Sequence, residues 1–147
     1  MRSAPPSLLA YFDASVHYGP DNATPVSAAI GFLVEDGVET YVERSLAVEA
    51  FVSSAALEHR ALVETVRAVA DRFDRVSSLH LHGDADAALR ATDPDHPAEP
   101  TDPVARRRVR EVRELLADVP VVTYRSVDRS RNARAHDLAR QGHRDRE

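Results

Sequence analysis

The chain has 147 residues, 43% of them hydrophobic and 29% charged, with five Gly and nine Pro; this suits one compact domain and excludes collagen-like, coiled-coil and wholly disordered classes. It contains no Cys, which excludes a disulfide scaffold, a thiolate zinc site and a cysteine nucleophile, so any metal must be held by oxygen or imidazole. All 19 basic residues are Arg, and residues 1–103 hold seven of them against 17 acids while residues 104–147 hold 12 against seven acids; a local anion-binding face is expected in the last third of an otherwise acidic protein.

Residues 1–7, with a Pro pair, read as a loose arm ahead of a single domain, and residues 143–147 read as a tail. Leu8 to Ser15 is mostly apolar and predicts a central strand that delivers Asp13 near its end. Val26 to Val34 places Ala28, Ile30, Phe32 and Val34 on one face with period two, and Glu35-Asp36-Gly37 supplies turn chemistry before a third strand over Val38 to Leu46. Strands two and three therefore form a hairpin. From Ser53 or Ser54 to Phe73 the spacing becomes helical, with Leu57, Ala61, Leu62, Val66, Val69 and Phe73 in one stripe.

Val76 to His82 alternates again as a fourth strand, followed by a short Ala-rich helix over Asp84 to Ala91. Thr92 to Pro103 contains four Pro and reads as a loop. Val104 to Ala117 predicts a helix with Val109, Val112, Leu115 and Leu116 inward, Pro120 to Tyr124 a fifth strand, and Asn132 to Gln141 a closing helix. Helices between strands one, four and five predict an α/β domain: a five-stranded mixed sheet with an antiparallel hairpin on one edge, flanked by helices. No run approaches the roughly 18–20 apolar residues of a membrane span, and no secretory signal is evident, so a cytoplasmic location is expected.

Three acids occupy unusual places. Asp13 lies within an apolar strand, where an unpaired carboxylate costs several kcal/mol. Glu58 follows Leu57 on the first long helix, beside the face turned to the sheet, and Asp84 lies at the carboxyl end of the fourth strand, where open sheets place ligands. Packed together, such acids repel one another unless a divalent cation sits among them, and oxygen ligation suits Mg²⁺ or Mn²⁺.

On these residues the chain resembles the type 1 ribonuclease H family. The family pattern is an Asp in the first strand, a Glu early in the first helix, an Asp after the fourth strand, and a last helix reading R-x-x-N-x-x-x-D-x-L-A. Here it is matched by FDAS with Asp13, SSAALEHRAL with Glu58, LHLHGDADAAL with Asp84, and RSRNARAHDLA over Arg129 to Ala139. The resemblance implies a metal-dependent endoribonuclease that hydrolyses the RNA strand of RNA/DNA hybrids with two Mg²⁺ or Mn²⁺ ions. It implies that Asp13 bridges both ions, that Glu58 and Asp84 each hold or orient one, and that Glu58 touches a ribose 2′-hydroxyl, the group that marks RNA.

Several positions depart from the pattern. Counting from Asn132, the family's fourth Asp falls on His136, with Asp137 one residue later. A one-residue slip rotates a helix by roughly 100° and would cost Leu138 and Ala139 their packing roles, so His136 is expected to face the acids. Imidazole is a poor Mg²⁺ ligand but a workable Mn²⁺ ligand or proton carrier. The usual Gly after the first Asp is Ala14, the Asn pair before the Glu is Ser54 and Ala55, and the usual Ser after the third Asp is Ala85; these changes relax the expected specificity for hybrids. Ser54, Arg129, Arg131, Asn132 and Arg134 are expected at the nucleic acid, the arginines on phosphates. The same features also fit a non-catalytic or weakened nucleic-acid-binding domain of this fold.

Overall fold

A computed structural model describes residues 4–21, 25–48, 54–84, 86–93 and 103–143, with only the backbone of Pro25, Ser54, Ala55, Asp86 and Ala87. The chain runs β1 (Ser7–Tyr18), β2 (Pro25–Glu35), β3 (Thr40–Val48), α1 (Ser54–Arg72), β4 (Ser78–Gly83), α2 (Asp86–Thr92), α3 (Pro103–Leu115), β5 (Val121–Ser126) and α4 (Ala133–Gly142). The strands form one sheet in the order β3-β2-β1-β4-β5. β1 pairs antiparallel with β2, and β2 with β3, while β1–β4 and β4–β5 are parallel. The expected mixed sheet with a hairpin edge is the one observed.

Alternation along β1 sends its residues to two different layers. Leu8, Ala10 and Phe12 are buried in the main core, with Leu57, Ala61, Leu62, Val66 and Val69 of α1 and Val112 of α3. Burial of this apolar set is the main source of stability, at roughly 25 cal/mol per Å². Tyr11 points the other way, onto a smaller cluster of Leu33, Ala135 and Leu138 beneath α4. That helix lies close on the sheet because Gly31 leaves room for it: a Cβ there would meet backbone atoms of Ala135, Leu138 and Ala139.

Most element boundaries lie within two residues of those read from the sequence, and the differences at β3, β1 and His143 have physical reasons. β3 begins at Thr40 because the Asp36 carboxylate accepts from the backbone N–H of Val38 at 2.8 Å and of Glu39 at 2.7 Å, which turns Val38 out into solvent, 97% exposed. β1 continues to Tyr18, so His17 is a strand residue, stacked on His143 at 3.6 Å. His143 is not part of a loose tail: its ring is buried, with hydroxyl partners in Ser27 at 2.6 Å and Ser15 at 3.0 Å. Residues 1–3, 22–24, 49–53 with the alternative helix start Ser53, Ala85, 94–102 of the Pro-rich loop, and 144–147 lie outside the described residues. Among the described residues no helix is long and apolar enough to cross a membrane.

Candidate active site

The parallel register of β1 and β4 pairs Phe12 with Gly83. The next residue on each strand is therefore an acid, Asp13 on β1 and Asp84 just past the end of β4, and the two stand side by side. Glu58 comes from the second turn of α1. His136 comes from the second turn of α4, where its backbone N–H bonds the Asn132 carbonyl at 3.0 Å.

Asp13 is 6% exposed. The His136 imidazole donates from Nδ1 to Asp13 Oδ2 at 2.8 Å. Burial pushes the Asp13 carboxyl up to about 6, against the lowering effect of the His136 hydrogen bond; Asp84 adds to the rise through its charge and a shared hydrogen bond. Glu58 is also raised, first by burial, then by the charges of Asp84 and Asp13. Asp13 thus feels Asp84, and Glu58 feels both, although among the described residues no three His, Asp or Glu groups are gathered into a cluster able to hold a metal. The donor chemistry of the three acids, all carboxylate oxygen and short of positive charge, fits a hard divalent cation.

α4 keeps the gapless register. Ala135, Leu138 and Ala139 are buried and Asp137 is exposed, so His136, not Asp137, meets Asp13. Asn132 sets this arrangement: its Nδ2 donates to the Phe12 carbonyl at 2.9 Å, fastening the start of α4 to the residue before Asp13. Asn132, expected at the nucleic acid, is 1% exposed, and its Nδ2 is taken up by this contact with β1.

The arginines divide. Arg134 turns to the hairpin, where it pairs with Glu35 at 2.9 Å and Glu43 at 3.6 Å, so most of its charge is already answered. Arg129 and Arg131 are exposed on the loop between β5 and α4. Ser54 opens α1, but its side chain lies outside the described residues. The sequence reading missed Tyr11 and His82, whose rings stack at 4.6 Å with 16° between planes. Period two was the available signal: Tyr11 precedes Asp13 by two, and His82 precedes Asp84 by two, so each shares its acid's face.

No protein-family model matches the sequence, and no curated protein matches it. Solved structures do. The ribonuclease H1 of the halophilic archaeon Halobacterium salinarum NRC-1 is 26% identical with a TM-score of 0.78, over 95% of this chain and 98% of that one. The chain has the ribonuclease H-like fold. The same ribonuclease H-like fold occurs in LC11-RNase H1, solved in complex with an RNA/DNA hybrid, at 16% identity and a TM-score of 0.77, over 92% of this chain and 95% of that one. It occurs again in the N-terminal RNase H domain of rv2228c from Mycobacterium tuberculosis, at 16% identity and a TM-score of 0.77, over 92% of each chain.

Proposed function

We propose that this ribonuclease H-like protein is a divalent-metal-dependent endoribonuclease that hydrolyses the RNA strand of RNA/DNA hybrids. The observation that carries this reading is the convergence of three acids from β1, α1 and the end of β4: burial and then Asp84 raise Asp13, and burial, Asp84 and Asp13 raise Glu58. A decayed site has no physical reason to keep three repelling acids within reach of one another. The related chain crystallised with a hybrid supports the substrate class.

Asp13, Glu58 and Asp84 would hold Mg²⁺ or Mn²⁺, with two ions expected. When bound, such ions supply an activated water and charge stabilisation at a phosphodiester. The chain's own residues do the rest. His136 fixes the orientation of Asp13 through the 2.8 Å hydrogen bond and stands ready to accept or return a proton at the site edge. Arg129 and Arg131 draw the phosphate backbone to the loop beside α4. Asn132 acts as a positioning residue.

A second reading, a non-catalytic or weakened binding domain, is favoured by His136 in the place of the fourth Asp. Cleavage of labelled hybrid, beside duplex RNA, duplex DNA and single strands, with Mg²⁺ or Mn²⁺, decides between them. Metal-dependent cutting of the hybrid's RNA strand, lost in a folded Asp84→Asn variant, is expected. Salt-sensitive binding with no cutting under either metal would establish the second reading.

A further inference from the structure

Among the described residues α4 packs on β1, β2 and β3. On that same face, β1, β4 and β5 carry a half-exposed strip whose rows follow the parallel register: Leu9, His80 and Thr123 in one, and Tyr11, His82 and Arg125 in the next. The row after that holds Asp13 and Asp84. Tyr11 and His82 therefore lie one pleat, roughly 6.6–7 Å, from the acids on a continuous surface.

An open cavity of about 250 Å³ adjoins this row, between the sheet and the start of α4. Tyr11, Leu33 and the alanines at the start of α4 form its apolar wall, and Glu35, Ser130, Arg131, Asn132 and Arg134 its polar lining. His82 stacks on the Tyr11 ring from the β4 side, and Tyr11 also lines the cavity. The space admits one flat ring system and little more. The rim offers guanidinium donors and a carboxylate acceptor to the edges of such a ring, and the exposed Arg131 and Arg125 give the surroundings the charge that suits a phosphodiester chain.

We propose that this cavity is a subsite for one unpaired nucleobase of a strand that continues past Asp13 and Asp84, the base extending the His82–Tyr11 stack. The inference rests on the nucleic-acid reading above and adds to it a preference for substrates with a single-stranded extension. An aromatic face recognises any base, because every base has a π-face, and such stacking contributes about 1–3 kcal/mol per base. The carboxylate and guanidinium on the rim then grade the bases by the donors and acceptors on their edges.

The test is binding in EDTA, where nothing is cut, by fluorescence anisotropy with three labelled probes: a blunt RNA/DNA hybrid, the same hybrid with a short unpaired tail at either end, and a tail of equal length without bases. The tailed hybrid is expected to bind roughly five-fold or more tightly than the blunt one, and the abasic tail, with the same phosphates, to give none of that gain. Tyr11→Ala is expected to abolish the gain and Tyr11→Phe to keep it. Equal affinity of the wild-type protein for blunt and tailed hybrids, or an abasic tail as effective as a natural one, would overturn the subsite while leaving the hybrid reading intact. Binding of the tail with no binding of the blunt hybrid would support the subsite and overturn the hybrid reading.

Discussion

Nδ1 of His136 lies 2.8 Å from Oδ2 of Asp13, a hydrogen bond between residues 123 positions apart that ties α4 to the central strand. Around it sit the groups whose chemistry can be tested one at a time.

His136→Ala removes the donor that orients Asp13 and leaves a buried carboxylate without it. Losing a hydrogen bond to a charged group costs about 1.5–3 kcal/mol, or roughly 10- to 100-fold in rate where the group acts in the rate-limiting step. Asp137→Ala changes an exposed side chain and is expected to leave the rate within about two-fold. Initial cleavage rates of the two variants on a hybrid check this. The reverse ranking would show that Asp137 is the acting residue of α4.

The raised Asp13 carboxyl has consequences for pH. Between about pH 4 and 6 the native protein holds a proton that the unfolded chain has released, so this group makes stability fall as pH rises through that window and adds no slope above it. Asp13→Asn is expected to exceed the parent in stability at neutral pH by on the order of 2–3 kcal/mol, with the difference shrinking towards pH 4, as read from urea midpoints. Activity runs the other way. The ionised form is the one that can hold a cation, so kcat/KM is expected to fall about ten-fold per pH unit below about 6. A parent whose stability is flat over the whole window would return Asp13 to the ordinary carboxylate range.

Gly31→Ala tests the seat of α4. The added methyl would lie 2.6 Å from the Leu138 carbonyl carbon and 2.7 Å from the Ala135 carbonyl oxygen, and both are backbone atoms of a helix that must shift as a body. A loss of about 3 kcal/mol is expected by urea unfolding, at the upper end of the usual cost of overpacking, together with loss of cleavage. An unchanged midpoint would mean that α4 rides further from β2.

Arg131 and Arg134 are separated by what already surrounds them. Arg131→Ala is expected to reduce the slope of log affinity against log salt by about one, the signature of one lost phosphate contact. Arg134→Ala, whose guanidinium already pairs with Glu35 and Glu43, is expected to change that slope less and to cost under about 1 kcal/mol in stability, as exposed ion pairs do. Equal slopes for both variants would show that the hairpin acids release Arg134 to the ligand.

The fold was legible because period two and period 3.6 are local properties, and the order of strands and helices left few topologies. The register of α4 was legible for a related reason: Leu138 and Ala139 can be buried in only one phase of the helix. What the sequence withheld depends on partners far away along the chain. Asn132 reads as a polar residue at a helix start, and only the proximity of the Phe12 carbonyl, 120 positions earlier, shows that it is a buried fastening. Arg134 reads as a free cation until Glu35, 99 positions away, is seen beside it. The Tyr11–His82 stack needs the register between two parallel strands, which no spacing in either strand encodes alone. Turn chemistry was misjudged at Val38, because an Asp three residues ahead of Glu39 can capture both backbone donors and delay the strand.

α4 packs on the small cluster of Leu33, Ala135 and Leu138, whereas the large core lies on the opposite side of the sheet with α1 and α3. The two layers are of unequal strength, and the weaker one carries His136. On heating, undocking of α4 should precede collapse of the sheet, as a sub-global opening with its own free energy. Amides of α4 would then exchange with solvent faster than those of β1 and α1, and catalytic competence would melt away at a temperature where most of the protein is still folded.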